Sequence, residues 1–491
     1  MKPCCFYDMG CFLLSFFPNY YNIHSYFVTT LISKEKMITV EKIGGTSMSK
    51  FEDVLNNIIL RENPYNRAFV VSAYAGVTNL LLSDKKTKAD GIYSLFKKKG
   101  GNYLSKLNEL IFELEKINKK MGYLGLNLDE ASEFLVNRIE KTQKHLKSIS
   151  DVIATGYVNK DNILLAGKEI LASIGEAHSA FNTANILKNK GINAVFVDLS
   201  GIDDSDYISI DERIDKKLKN INLKTQLPII TGYTKGYEGL MREFDRGYTE
   251  VTFSKVAVKF KADEAIIHKE FHLSSADPFI VGVENSKPIL FTNYDVTDQL
   301  ADVGMEAIHP KASKPLEIAN INLRVKSTFD PKHPGTLITK DFVNDKASVE
   351  IIAGSKDVIA IEIYEPIMVG AVGFDLRIMQ IFQNYNISYI SKSTAANSIT
   401  IIIWKKDFSK DLEKELEEKF YKILIEEVAI VTVIGSNIKT AGILAKTTSI
   451  LAKNNINIKS VSLAMKQVNI QLIIEKYEYE KAVIELNRSL I

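Results

Sequence analysis

From Met37 onward, short apolar runs alternate with stretches whose apolar positions recur every three or four residues, the pattern of an α/β domain. "MITVEKI" predicts a strand, and Met48, Phe51, Val54, Leu55, Ile58 and Ile59 follow it at helical spacing, with Ser49 and Glu52 placed as a capping box. "RAFVVSA", "AVFVDL", "LPIITGY" and "EAIIHKEF" predict further strands, and "ILLAGKEILASIGEAHSAFNTANIL" a long helix. "HPGTLIT" near residue 335 closes the unit, which spans 37–345. Residues 84–150 are lysine-rich with a helical period and read as a surface insertion.

Beyond residue 350 the pattern repeats. "IFQNYNISYIS" from Ile381 resembles "ILAKNNINIKS" from Ile450, and Gly373 and Gly442 fall at the same offset. Each copy reads strand, glycine-bearing loop, helix, strand, strand, which predicts two small α+β modules at 350–425 and 427–491.

Composition narrows the function classes. With 46% hydrophobic residues, 25% charged and a formal net charge of +2, the chain has no global pull toward nucleic acid or membrane. Its three cysteines, Cys4, Cys5 and Cys11, leave the rest without a disulfide, thiolate zinc site or cysteine nucleophile. A reducing, cytoplasmic setting fits. Residues 1–36 are aromatic-rich and nearly uncharged, but Pro18, Asn19, Asn22 and His24 interrupt any span of the ~30 Å hydrocarbon core. They read as a dispensable extension, with Met37 as the natural start.

The candidate chemistry begins at "KIGGTS" (42–47). Glycines after a strand let the backbone approach a ligand, and the following helix aims unpaired N–H groups at it, which suits phosphate. Lys42 adds a positive charge, but ahead of the glycines, so this is not a P-loop. By itself the stretch also suits an ordinary strand–helix turn. "HKEFH" (268–272) brings two histidines four apart, but its glutamate is in the wrong place for a zincin helix.

"KIGGTS", "VVSAYAGVTNLL" (70–81), "SIGEAHSA" (173–180), "AIHPKA" (307–312) and "LRVKSTFDPKHPGTLI" (323–338) occur in the order seen in aspartokinases, and the terminal repeats resemble that family's ACT domains. The resemblance covers nearly all of the chain from Met37. It implies a three-layer α/β/α amino-acid-kinase sandwich followed by two ferredoxin-like ACT domains. It also implies transfer of the γ-phosphoryl of ATP to the side-chain carboxylate of L-aspartate, with Mg²⁺ bound mainly through the nucleotide phosphates. Lys42, Gly44, Gly45, Thr46 and Ser47 would then face phosphate, and Asp277 the nucleotide. Ser72, Thr78, Glu176, Arg246 and Glu250 would line the aspartate site, with Glu176 receiving the ammonium and Arg246 forking onto a carboxylate.

The chain departs from the family at three places. Asp245-Arg246-Gly247-Tyr248-Thr249-Glu250 replaces a Gly-Arg-Gly-Gly-Ser-Asp pattern, "IHKEFHLSSADP" replaces the usual nucleotide segment, and Glu306 stands where lysine is usual. The whole resembles a divergent subgroup associated with synthesis of the compatible solute ectoine. Phosphorylation of another amino acid, or a catalytically weak relative sensing an amino acid through its ACT domains, are the alternatives. In the first repeat the effector positions match Met368, Gly373 and Ser388, while the neighbouring Tyr389 and Ile390 offer no charge to a lysine ammonium. The expectation is a homodimer or larger assembly joined through residues 350–491, with weak or no lysine inhibition.

Overall fold

A computed structural model describes residues 37–83, 89–98, 101–243, 247–305 and 308–491. The expected extension at 1–36, Arg246 and Glu306 lie outside the described residues.

Eight strands build the first sheet: β1 (Thr39–Ile43), β2 (Arg67–Val71), β3 (Ala194–Val197), β4 (Leu227–Thr231), β5 (Glu264–Lys269), β6 (Phe291–Asn293), β7 (Asn322–Ser327) and β8 (Thr336–Thr339). Their order is β3-β4-β2-β1-β5-β7-β8-β6, parallel throughout except for the β7–β8 pair. Strands such as β2 and β4 are buried along their whole length, which is why they read as unbroken apolar runs. β1 lies between β2 and β5, so the chain leaves it in opposite directions on its two sides. In an open parallel sheet a ligand crevice forms at such a switch point, beyond the carboxyl ends of the strands. Lys42 stands there.

Side chains of β1 alternate between the two faces. Glu41 bonds the Arg67 guanidinium, which donates to the carbonyls of Ile58 and Ile59 on one side. Lys42 reaches Glu250 on the other. The first turns after β1 are helical, but Ser49 and Glu52 form no capping box. The Ser49 hydroxyl donates to the Gly45 carbonyl and accepts the Ala75 N–H, while Glu52 accepts the Tyr123 hydroxyl. Tertiary partners displaced the local cap.

The lysine-rich helices carry more of the fold than a surface insertion would. α1 (Tyr103–Met121) and α2 (Leu128–Ala154) bury Leu107, Leu110, Leu114, Leu135, Ile139 and Leu146 in the main core. α2 packs on α3 (Lys160–Asn189), where Phe134 stacks on Phe181 with ring centroids 4.2 Å apart. Lysines occupy the outer face of each helix, so their density masked the apolar stripe beneath.

The second sheet is antiparallel, in the order β10-β11-β9-β12-β14-β13. Its strands are β9 (Ile351–Tyr364), β10 (Ser391–Thr394), β11 (Ser398–Trp404), β12 (Lys422–Ile434), β13 (Ile458–Ser462) and β14 (Asn469–Glu475). One group of helices, α7 (Phe374–Asn384) and α8 (Lys410–Lys419), covers β9 and β11. A second, α9 (Ile443–Lys453) and α10 (Tyr479–Leu490), covers β12 and β14. A linear division at residue 426 leaves out one feature. β9 and β12 run through both modules: Val358–Tyr364 pairs with the first half of β12, and Ile351–Ser355 with its second half, across a bulge at Val428/Ile430. The first module is therefore threaded into the second. The uncovered faces of this sheet pack on α5 (Tyr294–Asp302) through Val296, Leu300 and the following Val303.

Candidate active site

The glycine stretch is held by backbone contacts. Gly44 donates to the His268 carbonyl at 3.3 Å, tying the β1 loop to β5. A Cβ on Gly45 would lie 2.8 Å from the Ala73 carbonyl oxygen, so only glycine passes there, whereas one on Gly44 would meet nothing closer than 3.5 Å. Thr46 is exposed at the tip. Ser47 is buried, and its oxygen accepts the Thr328 hydroxyl at 2.8 Å.

Lys42 and Glu250 form the central pair. Lys42 Nζ lies 3.3 Å from Glu250 Oε1, both side chains nearly buried. The other Glu250 oxygen accepts the His309 N–H at 2.7 Å, at the start of α6 (Pro310–Ile318). Burial alone would raise the Glu250 carboxyl, but Lys42 and then Lys269 outweigh it and hold it below its usual range. Glu250, expected among the aspartate contacts, is paired with Lys42 here.

Beside this pair a chain of hydroxyls ends on a carboxyl. Ser72 donates to Thr249 at 3.4 Å, and Thr249 donates to Glu176 Oε1 at 2.7 Å. Glu176 is 2% exposed on α3, and its second oxygen has no partner among the described residues. Burial drives its pKa up to about 8, despite the Thr249 bond, the field of Lys42 and a bond from the Tyr233 backbone. This is no solvated helix face. Thr249 and Glu250 are positioned by the first turn of α4 (Tyr248–Phe260), entered through Gly247 at φ +86°. Thr78 is half-buried on the turn Val77–Leu81, after Gly76, whose φ is also +86°.

On the other side of Lys42 a cleft of about 510 Å³ opens, lined by Gly44–Ser47, Glu250, Lys269, Glu270, Asp277 and Gly304. Asp277 caps the turn Pro278–Val281, accepting the Phe279 N–H at 2.9 Å. Phe271 and Phe279, 56% and 88% exposed, meet edge to face above it with centroids 6.3 Å apart. The two histidines of "HKEFH" go separate ways: His268 bonds Glu41 at 2.7 Å and His272 bonds Asp330 at 3.3 Å.

The structure therefore brings Lys42, Gly44, Gly45, Ser72, Glu176 and Glu250 together through Thr249. Thr249, Lys269 and His309 were missed. Lys269 carried a legible signal, since it ends β5 as Lys42 nearly ends β1. His309 contributes a backbone N–H, which no residue pattern announces.

Residues 37–327 match the amino acid kinase family, and residues 431–490 match the ACT domain. A sandwich with a lysine–glycine crevice at its switch point and this match over more than half its length define the class: the chain belongs to the amino acid kinase family. Aspartate kinase Ask_Ect of Stutzerimonas stutzeri (strain A1501) is 41% identical over 464 residues, 93% of this chain and 98% of that protein. Aspartokinase 1, chloroplastic, of Arabidopsis thaliana is 26% identical across 93% of this chain and 80% of its own. Within the family, the chain is one of the aspartokinases. E. coli aspartokinase III in complex with aspartate and ADP shares the fold, with a TM-score of 0.69 over 92% of this chain and 99% of that one at 20% identity.

Proposed function

We propose that the aspartate kinase reaction, transfer of the γ-phosphoryl group of ATP to the side-chain carboxylate of L-aspartate, runs at the carboxyl ends of β1, β4 and β5 through Lys42, the Gly44–Gly45 backbone and Glu176. The attacking carboxylate is ionised at neutral pH, so the chain needs no strong base. Its work is positioning and charge stabilisation. Lys42, held by Glu250, faces the charge that spreads over the transferring phosphoryl, and the loop N–H groups add donors. Arg246 is assigned to the substrate carboxylate. The cleft at Gly44–Ser47 takes the nucleotide phosphates, and the exposed Phe271 and Phe279 offer a face to its base.

Glu270 and Asp277 line this cleft with the oxygen donors that Mg²⁺ prefers, although among the described residues no group of three metal-ligating side chains forms a cage. Mg²⁺ carried by the phosphates would neutralise part of their charge.

The observation that carries this reading is Glu176: a buried carboxyl with one oxygen unpartnered beside Lys42. An ammonium fills that vacancy in hydrogen bonding and charge. Trapping acyl phosphate with hydroxylamine, using aspartate, glutamate and no acceptor, tests it. Product with aspartate alone, lost in Glu176→Gln, is expected; equal product with glutamate would refute the acceptor.

Regulation is assigned to the ACT modules in a homodimer or larger assembly joined through residues 350–491. Tyr389 and Ile390 leave a lysine ammonium without a counter-charge, which costs at least a few kcal/mol. The expected outcome is weak inhibition by lysine alone; half-inhibition at sub-millimolar lysine would overturn this pocket assignment.

A further inference from the structure

A second cavity, of about 500 Å³, lies on the face of the first sheet opposite Lys42, the face that Glu41 occupies. Its floor is unusual for a parallel sheet. On the face that carries Lys42, the neighbouring Val40, Ala265, Ile267, Leu323 and Val325 are apolar and buried. The reverse face of the same strands presents Glu41 on β1, Glu264 and His268 on β5, and Arg324 and Lys326 on β7.

Most of these charges are paired. Glu41 accepts from Arg67 at 2.6 Å and from His268 at 2.7 Å; burial opposes its ionisation, but Arg67 and His268 hold it well below the usual carboxylate range. Burial also lowers the pKa of His268, against the pull of Glu41. Arg324 forks onto both oxygens of Glu264, at 2.6 and 2.9 Å. Lys326 is the exception. It stands in register with His268, half-buried, and its amine makes no hydrogen bond or ion pair among the described residues. Burial, helped by Arg324 and Arg61, lowers its pKa against the fields of Glu41 and Glu62.

The balance of charge over the lining is uneven. Arg61, Arg67, Arg324 and Lys326 are opposed by Glu41, Glu62 and Glu264, an excess of one positive charge. Thr39 and Asn57 also line the cavity, and much of the remaining wall is apolar: Ile58, Ile266, Leu290, Phe291 and Leu337. A volume in the range of small-molecule sites, an apolar wall and one unmatched cation define the chemistry of the occupant.

We propose that this reverse-face cavity is a binding site for a small organic monocarboxylate, its carboxylate on Lys326 and its carbon skeleton against Ile266, Phe291 and Leu337. The site is separate from the phosphoryl-transfer cleft, and no residue assigned to catalysis lines it. Its closeness to that cleft is structural: β1 turns Glu41 toward this cavity and Lys42 toward the other, and His268 supplies the carbonyl that holds Gly44.

The test uses the full chain with hexanoate as probe and hexylamine as the control of opposite charge. Hexanoate is expected to raise the melting temperature saturably by a few degrees. It should also protect Lys326 several-fold from an amine-reactive ester, read by peptide mass spectrometry, while hexylamine does neither. Lys326→Met should lose the thermal response yet still form acyl phosphate with aspartate, and Lys326→Arg should retain the response, which separates lost binding from a misfolded variant. No saturable shift, an equal shift with hexylamine, or an undiminished shift in Lys326→Met would each overturn the proposal.

Discussion

At the scale of single residues, the site is governed by two buried carboxyls with opposite fates. Glu250 has Lys42, Lys269 and a backbone N–H, and stays ionised. Glu176 has the Thr249 hydroxyl, the Tyr233 backbone and the field of Lys42, but burial outweighs them and it holds its proton up to about pH 8. An aspartate ammonium needs the ionised form, so kcat/KM for aspartate should fall about tenfold per unit as pH drops below 8. Glu176→Gln should flatten that limb at a low value; an unchanged pH profile would refute the ammonium role. The stability linkage has its own sign. Between the unfolded carboxyl range and about pH 8 the folded chain keeps a proton that the unfolded chain has released, so stability falls as pH rises through that window. Glu176→Gln removes this slope, which melting curves at pH 5 and 8 would show. Lys42→Met should cut kcat at least a thousandfold. It also strands Glu250, at a cost of about 1–3 kcal/mol, because Lys269 and the His309 N–H remain. A normal rate in that variant would remove Lys42 from the mechanism.

At the scale of elements, the strands of the first sheet were legible because buried parallel strands are written as continuous apolar runs. Lys42, Gly44 and Gly45 drew notice as a charge and two missing side chains at a strand end, but an ordinary turn has the same pattern, and only the order of the other motifs singled them out. The cap at Ser49 was misread because its competitor, the Ala75 N–H, is distant in sequence and close only in the fold. For the same reason the bond from Thr249 to Glu176 was not legible, and Glu250, placed among the aspartate contacts, could not be seen as the partner of Lys42. The two glycines now separate. Gly45→Ala drives a Cβ into the Ala73 carbonyl, whereas Gly44→Ala makes ordinary contact with the His268 carbonyl. The first should raise the KM for ATP at least tenfold more than the second; equal effects would mean that the loop shifts freely.

At the scale of the whole molecule, the ACT modules pack against segments that border the cleft beside Lys42. Gly304, which lines the cleft, has φ +78°, and the Trp404 ring of β11 lies where a Cβ would come within 3.1 Å. Ser275, two residues before Asp277, donates to Asn487 of α10 at 3.0 Å, and its carbonyl accepts the N–H of Ile352 on β9. A change in either module is therefore expected to alter nucleotide use before aspartate use. Trp404→Ala should raise the KM for ATP several-fold and leave that for aspartate nearly unchanged. Equal shifts in both would indicate general loosening.

The shared strands β9 and β12 also set a schedule for the nascent chain. Ile351 pairs with Ile434, so the first half of β9 leaves the ribosome 83 residues (434 − 351) before that partner exists. At translation speeds of about 5–20 residues per second, Ile351, Ile352 and Ala353 wait roughly 4–17 s for their neighbour strand. During that interval the first module can close, because its own strands and helices lie between. The second cannot begin until the first has been made in full, and α5 with Ala276, Val281 and Ile289 of the finished kinase domain offers apolar surface to shelter the waiting edge.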